Sequence, residues 1–335
     1  MVPVVDSNRN PLMPCTERRA RRMIESRKAT PFWKRGVFCI RLNVEPSARN
    51  IQPISVGIDP GSKKEGFTVK SEAHTLLNVQ ADAVTWVKDA VETRRVMRRA
   101  RRNRKTPCRQ NRMNRARGSL PPSTKARWQW KLRVVSWLKK MYPIQTIVVE
   151  DIKAKTKKYQ RKWNQSFSPL EVGKKWFYSE LKPFEVVLKQ GWETKQLRDS
   201  LGLKKSKQKL AETFQAHCVD SWVLANEVVG GHSKPENTKL LCVVPLHFHR
   251  RMLHRMVPAK GGIRSSYGGT RSMDLTRGSL VKHLKYGVTY VGGSSNNRLS
   301  LHSIRTGKRL SNQIKRQDCK FLTYASFRMY SPAKR

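Results

Sequence analysis

Four residues of this 335-residue chain have types and settings that could hydrolyse a phosphodiester bond. Asp59 ends one short apolar segment and Glu150 ends another, and both segments have the composition of buried β-strands. His217 and Asp220 are three residues apart in a segment predicted to be helical, so they share one face. If the two strands are neighbours and the helix covers them, the three carboxylates converge.

Converging carboxylates repel one another unless a divalent cation lies between them. We therefore expect Asp59, Glu150 and Asp220 to hold two Mg²⁺ ions about 4 Å apart, for which Mn²⁺ can substitute. Such ions activate water and stabilise the leaving oxygen of a phosphodiester. His217 would move protons or help to place the nucleophile.

Each of these four residues, taken alone, also has a purely structural interpretation. Asp59 begins an Asp-Pro-Gly sequence that is typical of a turn. Glu150 fits a surface position after a strand, and His217 and Asp220 fit a solvated pair on a helix. The four together favour catalysis, because acids are scarce in this chain and each of these lies beside a strongly apolar segment.

The elements that must position these residues follow from the hydrophobic pattern. We predict a turn at 11–14, a short helix with the Arg18–Arg22 cluster, and a strand at Val37–Leu42. Further strands are predicted over 54–58, 66–69, 74–79 and 146–149. Helices are predicted over 82–106, 124–141, 169–187 with a break at Pro183, and 206–229. Beyond about residue 236, glycine-rich turns alternate with short strand-like segments, which indicates a small β-rich module.

The charge of the chain requires a polyanionic partner. It has 70 Lys and Arg against 23 Asp and Glu, a net charge of +47, and residues 93–149 contain 18 basic residues and no acid. Such a charge on a compact surface would repel itself, so nucleic acid is the expected partner and a free-standing metabolic enzyme is nearly ruled out. A solvated face or a disordered arm is the alternative for the arginine-rich helix, but that helix lacks compensating glutamates. The expected nucleic-acid-binding residues are Arg18, Arg19, Arg21, Arg22, Arg94, Arg95, Arg98, Arg99, Arg101, Arg102, Lys105, Arg109, Arg112 and Arg115.

The remaining compositional features favour a cytoplasmic, nucleoid-associated protein. The six cysteines are scattered without a CxxC pair, which argues against a zinc ribbon and suits a reducing compartment. No apolar stretch approaches about 18 residues, so we expect no membrane partner. The first nine residues lack the apolar core of a signal peptide.

Several motifs, in order along the chain, resemble the IscB/IsrB proteins. Pro11-Leu12-Met13-Pro14 and the following arginine cluster look like the family's PLMP (RRXRR) domain. The segments Val56–Ser62 and Ile147–Asp151 resemble the first and second RuvC segments, and 191–220 resembles the approach to the third. The arginine-rich helix resembles the bridge helix, and the tail after 236 more weakly resembles the module that interacts with a target-adjacent motif.

This resemblance implies an α/β protein with an RNase H-like (RuvC) core split in sequence, an Arg-rich bridge helix, a small N-terminal PLMP domain and a β-rich C-terminal module. The implied parts, in chain order, are the PLMP domain 1–53, RuvC segment I 54–80, the bridge helix 81–118, RuvC segment II with a linker 119–183, RuvC segment III 184–235 and the target-adjacent-motif module 236–335. In that module, Arg264, Arg271, Arg277, Arg305 and Arg309 are the expected contacts with the motif, and a general phosphate clamp is the alternative.

The resemblance also implies a function. Family members are RNA-guided proteins of prokaryotic mobile elements, in which a long structured guide RNA, the omega RNA, pairs with one strand of double-stranded target DNA. Residues 151–216 contain no His and no Cys, so they cannot hold an HNH nuclease site, and the resemblance is to the HNH-lacking IsrB branch. A monomeric protein in a ribonucleoprotein, with one RuvC site that nicks the displaced strand, is therefore expected.

Three alternatives remain open at this point. A dimeric RuvC-like resolvase would act on DNA junctions without RNA. A ribosomal-type RNA-binding protein would explain the charge but not the acids. A third possibility is an RNA-guided DNA-binding protein that does not cleave.

Overall fold

The computed structural model describes residues 1–46, 48–105, 120, 122–153, 169–248, 252–256 and 264–332. The chain divides into two compact units, Met1–Leu240 and Leu241–Arg335. Among the helices in the described part of the chain, none is both long enough and apolar enough to cross a membrane.

A four-stranded sheet begins unit 1. Its elements are β1 (Val2–Val5), β2 (Pro11–Cys15), α1 (Glu17–Glu25), β3 (Ala29–Lys34) and β4 (Val37–Leu42), and the strand order is β2-β1-β4-β3. The β1–β4 pair is parallel and the other two pairs are antiparallel. The Thr16 hydroxyl caps α1 by accepting a hydrogen bond from the Arg19 amide at 3.3 Å. The predicted helix and the predicted strand over 37–42 are confirmed.

The predicted turn at 11–14 is wrong, because these residues form strand β2. The two prolines signalled a turn, yet proline also fits an edge strand, where a missing N–H group costs no ladder hydrogen bond. Strand β2 lies at such an edge, with β1 as its neighbour on one side.

The central sheet of unit 1 joins segments that are far apart in the sequence. Its strands are β5 (Ile54–Asp59), β6 (Lys64–Ser71), β7 (Thr75–Asp82), β8 (Thr146–Asp151) and β9 (Glu185–Gln190). In the spatial order β7-β6-β5-β8-β9, the first three strands are antiparallel, and β8 runs parallel to both β5 and β9. Ile58, Phe67, Val79 and Val149 are fully buried in this sheet, so its apolar side chains form the core of the unit.

The helices of unit 1 after the N-terminal sheet are α2 (Trp86–Asn103), α3 (Pro122–Lys139), α4 (Pro169–Glu180), α5 (Gly191–Ser200), α6 (Phe214–His217) and α7 (Val219–Val229). Helix α7 packs on β5 and β6 at very short range. A Cβ atom on Gly57 would lie 1.8 Å from the Ser221 carbonyl oxygen, and one on Gly66 would lie 1.9 Å from the His217 carbonyl oxygen. Both positions therefore require glycine.

Helices α2 and α3 confirm the predicted helices over 86–103 and 124–139, whereas residue 82 ends strand β7 and neither 83–85 nor 140–141 is helical. The apolar positions Trp130, Val134 and Leu138 of α3 are buried, as the pattern indicated. Helix α2 does not bury its apolar side chains in the same way, since Val96 is 54% exposed and Met97 is 64% exposed.

Two other helix predictions need correction. Residues 185–187 belong to strand β9, because Pro183 ends the helical register and Val186 and Val187 are β-branched residues that suit a strand. Residues 206–213 form a loop rather than the start of a long helix. Four lysines fall within 204–209, and such closely spaced like charges disfavour a helix.

Unit 2 is built almost entirely from strands. They are β10 (Leu240–Pro245), β11 (Met252–Met256), β12 (Arg264–Gly268), β13 (Arg271–Ser272), β14 (Leu275–Thr276), β15 (Ser279–His283), β16 (Gly287–Ser295), β17 (Arg298–Ser303), β18 (Arg309–Ile314), β19 (Cys319–Tyr324) and β20 (Phe327–Tyr330). Strands β18-β17-β16-β15-β19 form an antiparallel sheet in that order, around buried Val281, Val291, Leu299 and Leu301. The β-rich character predicted for the tail is confirmed.

A buried ion pair links the central sheet of unit 1 to helix α3. Lys131 Nζ lies 2.7 Å from Glu65 Oε1, and both residues are at most 5% exposed. Burial raises the pKa of Glu65, although Lys131 opposes that shift. The ammonium of Lys131 also lies 4.9 Å from the centre of the Trp128 ring. The pair therefore stabilises the fold only while both partners are present.

We predict that Lys131→Met lowers the free energy of unfolding by about 3–5 kcal/mol at pH 8, because it leaves the buried Glu65 carboxylate without a counter-charge. Since the pKa of Glu65 is then raised further in the folded state, folding takes up a proton, and the loss should shrink as the pH falls to 5. Urea unfolding at both pH values measures this.

The matched control is Lys140→Met, an exposed lysine just beyond the same helix, which should change stability by less than about 0.5 kcal/mol. The double variant Glu65→Gln/Lys131→Met should recover most of the loss at pH 8. Equal stability of wild type and Lys131→Met at pH 8 would contradict the role given to this pair.

Candidate active site

The parallel pairing of β5 and β8 places two of the four predicted residues at one edge of the central sheet. The register aligns Ile58 with Val149, so Asp59 and Glu150 are the next pair along the two strands. Both strands end at this point, and their carboxyl ends lie at the same edge. The structure therefore brings Asp59 and Glu150 side by side.

Helix α7 brings the third carboxylate to the same place. Asp220 lies in its first turn, is 4% exposed, and shares a counter-ion with Asp59. Lys205 Nζ lies 3.0 Å from Asp59 Oδ2 and 2.5 Å from Asp220 Oδ2. Arg198 Nη1 binds the other oxygen, Asp220 Oδ1, at 2.8 Å. The three carboxylates thus form one electrostatic cluster with two fixed cations.

Glu150 is the member of the cluster without an ion pair among the described residues. Burial, together with the nearby carboxylates of Asp59 and Asp220, raises the pKa of Glu150 to about 7, against the opposing effect of Lys205 and Arg198. Gly191 at the start of α5 approaches it closely, since a Cβ atom there would lie 3.0 Å from Glu150 Oε1. The Glu150 side chain is therefore confined, and it lacks the counter-charge that the other two carboxylates have.

The same cluster raises the pKa of both Asp59 and Lys205. Burial raises the pKa of Asp59, with Asp220 adding to the rise and Lys205 opposing it. Burial alone would lower the pKa of Lys205, but Asp59 and Asp220 outweigh it and raise that pKa. Lys205 therefore stays charged, as its position between two carboxylates requires.

His217 lies close to this cluster but on a different helix from Asp220. It is the last residue of α6, and the junction at Cys218 separates it from α7, so the prediction that both lie on one helix is wrong. That they share one face stays a prediction. Burial lowers the pKa of His217, and Lys64 and Lys205 lower it further. Its Nε2 atom is buried and has no hydrogen-bond partner in the described part of the chain. The imidazole is therefore neutral, with one nitrogen available.

A second set of contacts holds the end of strand β8 in place. Asp151 binds Lys174 Nζ at 2.8 Å, the Tyr178 hydroxyl at 2.8 Å and the Gln190 amide nitrogen at 3.1 Å. Because these partners come from α4 and β9, the residue after Glu150 is fixed from two sides. Hydrogen bonds lower the pKa of Asp151 despite its burial, so it remains an ionised structural group.

Lys205 and Arg198 were missed by the sequence analysis. Lys205 is one of four lysines within six residues, and nothing in that run distinguishes it from its neighbours. Arg198 lies in a helix of ordinary composition. The convergence of three acids did indicate that positively charged side chains must lie nearby. The sequence does not say which basic residues these are.

The donor chemistry of this cluster suits a hard cation such as Mg²⁺, which binds carboxylate oxygens. Asp59 Oδ2 and Asp220 Oδ2 already share one cationic atom, so they are arranged to hold a cation between them. Among the described residues, no three His, Cys, Asp or Glu side chains come close enough together to bind a metal ion. The pair Asp59 and Asp220 therefore fits one shared ion, while coordination by all three carboxylates stays a prediction.

The predicted nucleic-acid-binding residues of unit 1 that the structure describes lie on or just after two helices. Those with described side chains are exposed, namely Arg18, Arg19, Arg21 and Arg22 on α1, and Arg95, Arg98, Arg99, Arg102 and Lys105 on or just after α2. The side chains of Arg94 and Arg101 and the whole of Arg109, Arg112 and Arg115 lie outside the described residues. In the described part of the chain, Arg95 alone of the α2 set has an acidic partner, Glu92 at 3.6 Å.

The predicted motif-contacting residues of unit 2 are placed on its strands and turns. Arg271, Arg305 and Arg309 are exposed, and the side chain of Arg264 is outside the described residues. Arg277 is half-buried, and burial lowers its pKa. Its Nε atom has no hydrogen-bond partner among the described residues.

Comparison with known proteins gives two similarities. Residues 2–167 match a family model described as RRXRR protein. The structure of "T. thermophilus RuvC in complex with Holliday junction substrate" has a TM-score of 0.29 and 14% sequence identity, and the similarity covers 54% of this chain and 98% of that chain. No curated protein matches this chain. The matched range includes Asp59, Glu150 and helix α2, so over residues 2–167, about half of its length, this chain is similar to the RRXRR family model.

Proposed function

We propose that the protein is an RNA-guided DNA endonuclease that nicks the strand not paired with the guide. The observation that carries the endonuclease part is the cluster of Asp59, Glu150 and Asp220 at one sheet edge of a chain with a net charge of +47. Guidance by RNA rests on the resemblance of its motifs to the IscB/IsrB proteins. The RRXRR match over residues 2–167 supports the same family.

The strand order of the central sheet supports an RNase H-like core. In this sheet three antiparallel strands are followed by two parallel ones, and a helix packs across β5 and β6. The sheet draws on separated segments, as a RuvC core split in sequence does. The acids lie at the ends of the first and fourth strands in chain order and on the covering helix.

Each residue of the cluster then has a distinct task. Asp59 and Asp220 hold a shared cation, and Arg198 orients Asp220 through its other oxygen. Glu150, confined beside Gly191, would supply a further oxygen ligand. Bound Mg²⁺ would supply Lewis-acid stabilisation of the phosphodiester and activate water. His217, neutral and with Nε2 unpaired in the described structure, accepts or donates a proton near the reacting oxygen.

The exposed arginines bind backbone phosphate rather than bases. Helix α2 presents arginines on a surface where even Val96 and Met97 are exposed, so a partner must cover it. Arginine forms bidentate contacts with phosphate, and such contacts carry little sequence information. The guide RNA and its heteroduplex with target DNA are the partners we assign to this helix.

We predict that Asp59→Ala, Glu150→Ala and Asp220→Ala each abolish Mg²⁺-dependent nicking, because each removes an oxygen ligand and unbalances the charge of the others. His217→Ala should slow nicking by about 10²–10⁴-fold, the range of general acid–base help. Strand-specifically labelled duplex, assayed with Mg²⁺ and with EDTA in the presence of guide RNA, measures these rates.

Glu227→Ala is the matched control for these variants, since it removes an acid from the far end of α7 that binds Lys189. All five variants should still bind guide RNA. Full activity in Asp59→Ala, or cleavage of both strands by the wild type, contradicts the mechanism. RNA-independent cutting of junctions would indicate a resolvase, and guided binding without cutting would indicate a binding protein.

We predict that the triple reversal Arg98→Glu, Arg99→Glu and Arg102→Glu strongly weakens guide RNA binding and reduces its salt dependence, because it replaces phosphate contacts on α2 with repulsion. A filter-binding titration over several salt concentrations measures both effects.

The control variant carries the same change in charge elsewhere in unit 1. It replaces the exposed residues Lys140, Lys182 and Lys195 by glutamate. If both triple variants lose the same affinity, the effect is one of net charge and the assignment of helix α2 is wrong.

We predict that Arg271→Ala, Arg305→Ala and Arg309→Ala together weaken binding to target DNA while guide RNA binding stays within about twofold, because these exposed side chains of unit 2 are assigned to duplex DNA beside the target. The control replaces the exposed lysines Lys285, Lys315 and Lys320 by alanine. Loss of RNA and DNA binding together would instead assign this surface to the guide RNA.

A further inference from the structure

Lys205 occupies the position that a divalent cation needs. Its ammonium lies 3.0 Å from Asp59 Oδ2 and 2.5 Å from Asp220 Oδ2, so it bridges the pair of oxygens that would share a metal ion. Two cations cannot occupy one site between the same two oxygens. An ion that binds Asp59 Oδ2 and Asp220 Oδ2 together must therefore displace this ammonium.

Arg198, unlike Lys205, does not occupy the place of the metal ion. Its Nη1 atom binds Asp220 Oδ1, the oxygen that Lys205 does not use, and Arg198 lies within helix α5. A cation that takes the place of Lys205 leaves the Arg198 contact intact. Asp220 thus keeps its orientation when the occupant of its other oxygen changes.

The backbone around Lys205 allows the side chain to leave without refolding the loop. The Leu203 amide donates to the Arg198 carbonyl at 3.1 Å, and the Ser206 amide donates to the Gln215 carbonyl at 2.8 Å. The loop is therefore fastened on both sides of Lys205. The lysine side chain is 34% exposed and has a flexible four-carbon stem, so rotation of that stem takes the ammonium into solvent.

We propose that Lys205 is an internal competitor of the divalent cation, which neutralises Asp59 and Asp220 in the metal-free protein and must be displaced before a metal ion binds them. The proposal rests on the proposed function only in taking these two carboxylates as metal ligands. It assigns to Lys205 a regulatory role, which is to set the metal concentration at which the site fills.

The test measures direct binding of Mn²⁺ to the full-length protein without nucleic acid. Electron paramagnetic resonance reports the concentration of free Mn²⁺ during the titration. Lys205→Met keeps most of the stem and removes the ammonium, so it should bind Mn²⁺ about 10- to 100-fold more tightly than wild type. Lys204→Met is the matched control, because it removes the same charge from the neighbouring exposed residue, which makes no ion pair in the described structure. Its affinity should change by less than about threefold.

Thermal unfolding gives a second measurement that does not depend on activity. In EDTA, Lys205→Met should unfold at a lower temperature than wild type, because Asp59 and Asp220 then face each other without their shared cation. Saturating Mn²⁺ should raise the unfolding temperature of Lys205→Met more than that of wild type. Lys205→Arg keeps a positive charge at the site and should bind Mn²⁺ no more tightly than wild type.

Equal or weaker Mn²⁺ binding by Lys205→Met overturns the proposal and makes Lys205 a structural support for the site. An equal gain in Lys204→Met overturns it too, since the effect would then be general electrostatics. If Lys205→Met does not fold, tighter Mn²⁺ binding by Lys205→Arg overturns it and unchanged or weaker binding supports it. These outcomes do not depend on cleavage. If the protein cuts DNA as proposed but Lys205→Met binds Mn²⁺ no more tightly than wild type, only the role of Lys205 as a competitor is refuted.

Discussion

The parallel pairing of β5 with β8 is the constraint on which the rest of unit 1 depends. It sets Asp59 beside Glu150 although 90 residues separate them in the sequence, and it does so at the partly buried ends of two strands that are otherwise buried. Two carboxylates at such a place raise each other's pKa and destabilise the sheet edge unless positive charge is brought to them. Lys205 of loop 201–213 binds Asp59 and Arg198 of helix α5 binds the neighbouring Asp220, while Glu150 has no ion pair among the described residues.

The close packing of the covering helices follows from the same constraint. Asp220 reaches the sheet edge only because α7 lies directly on β5 and β6, where Gly57 and Gly66 leave room for backbone carbonyl groups. A side chain at either glycine would push the helix outward and move Asp220 away from the cation that it shares with Asp59. The Glu65–Lys131 pair ties the second strand of this sheet to α3, so the sheet edge is supported from within the core.

The sequence was sufficient to predict the strands and helices with strong periodicity and the convergence of acids at strand ends. It was misleading where one residue type serves two structures, as at Pro11 and Pro14, which fit a turn and an edge strand equally well. It was also misleading over 206–213, which is a loop rather than the start of a long helix. Just before this loop segment, Lys205 turns toward carboxylates that lie far away in the sequence. The role of Lys205 could not be predicted, because it depends on tertiary contacts and not on local pattern.

The basic residues of this chain serve two separate purposes. A few, such as Lys131, Lys174 and Lys205, are bound to acids inside unit 1 and hold its interior together. Most of the others, including Arg98 and Arg99, are exposed and have no acidic partner in the described structure. Many acids, such as Glu17, Glu25 and Asp89, are exposed as well, but the 70 basic residues far outnumber the 23 acids, so the surface stays strongly positive. A polyanion can therefore bind the surface without competing for the lysines that hold the carboxylates, which keeps affinity and chemistry on different residues.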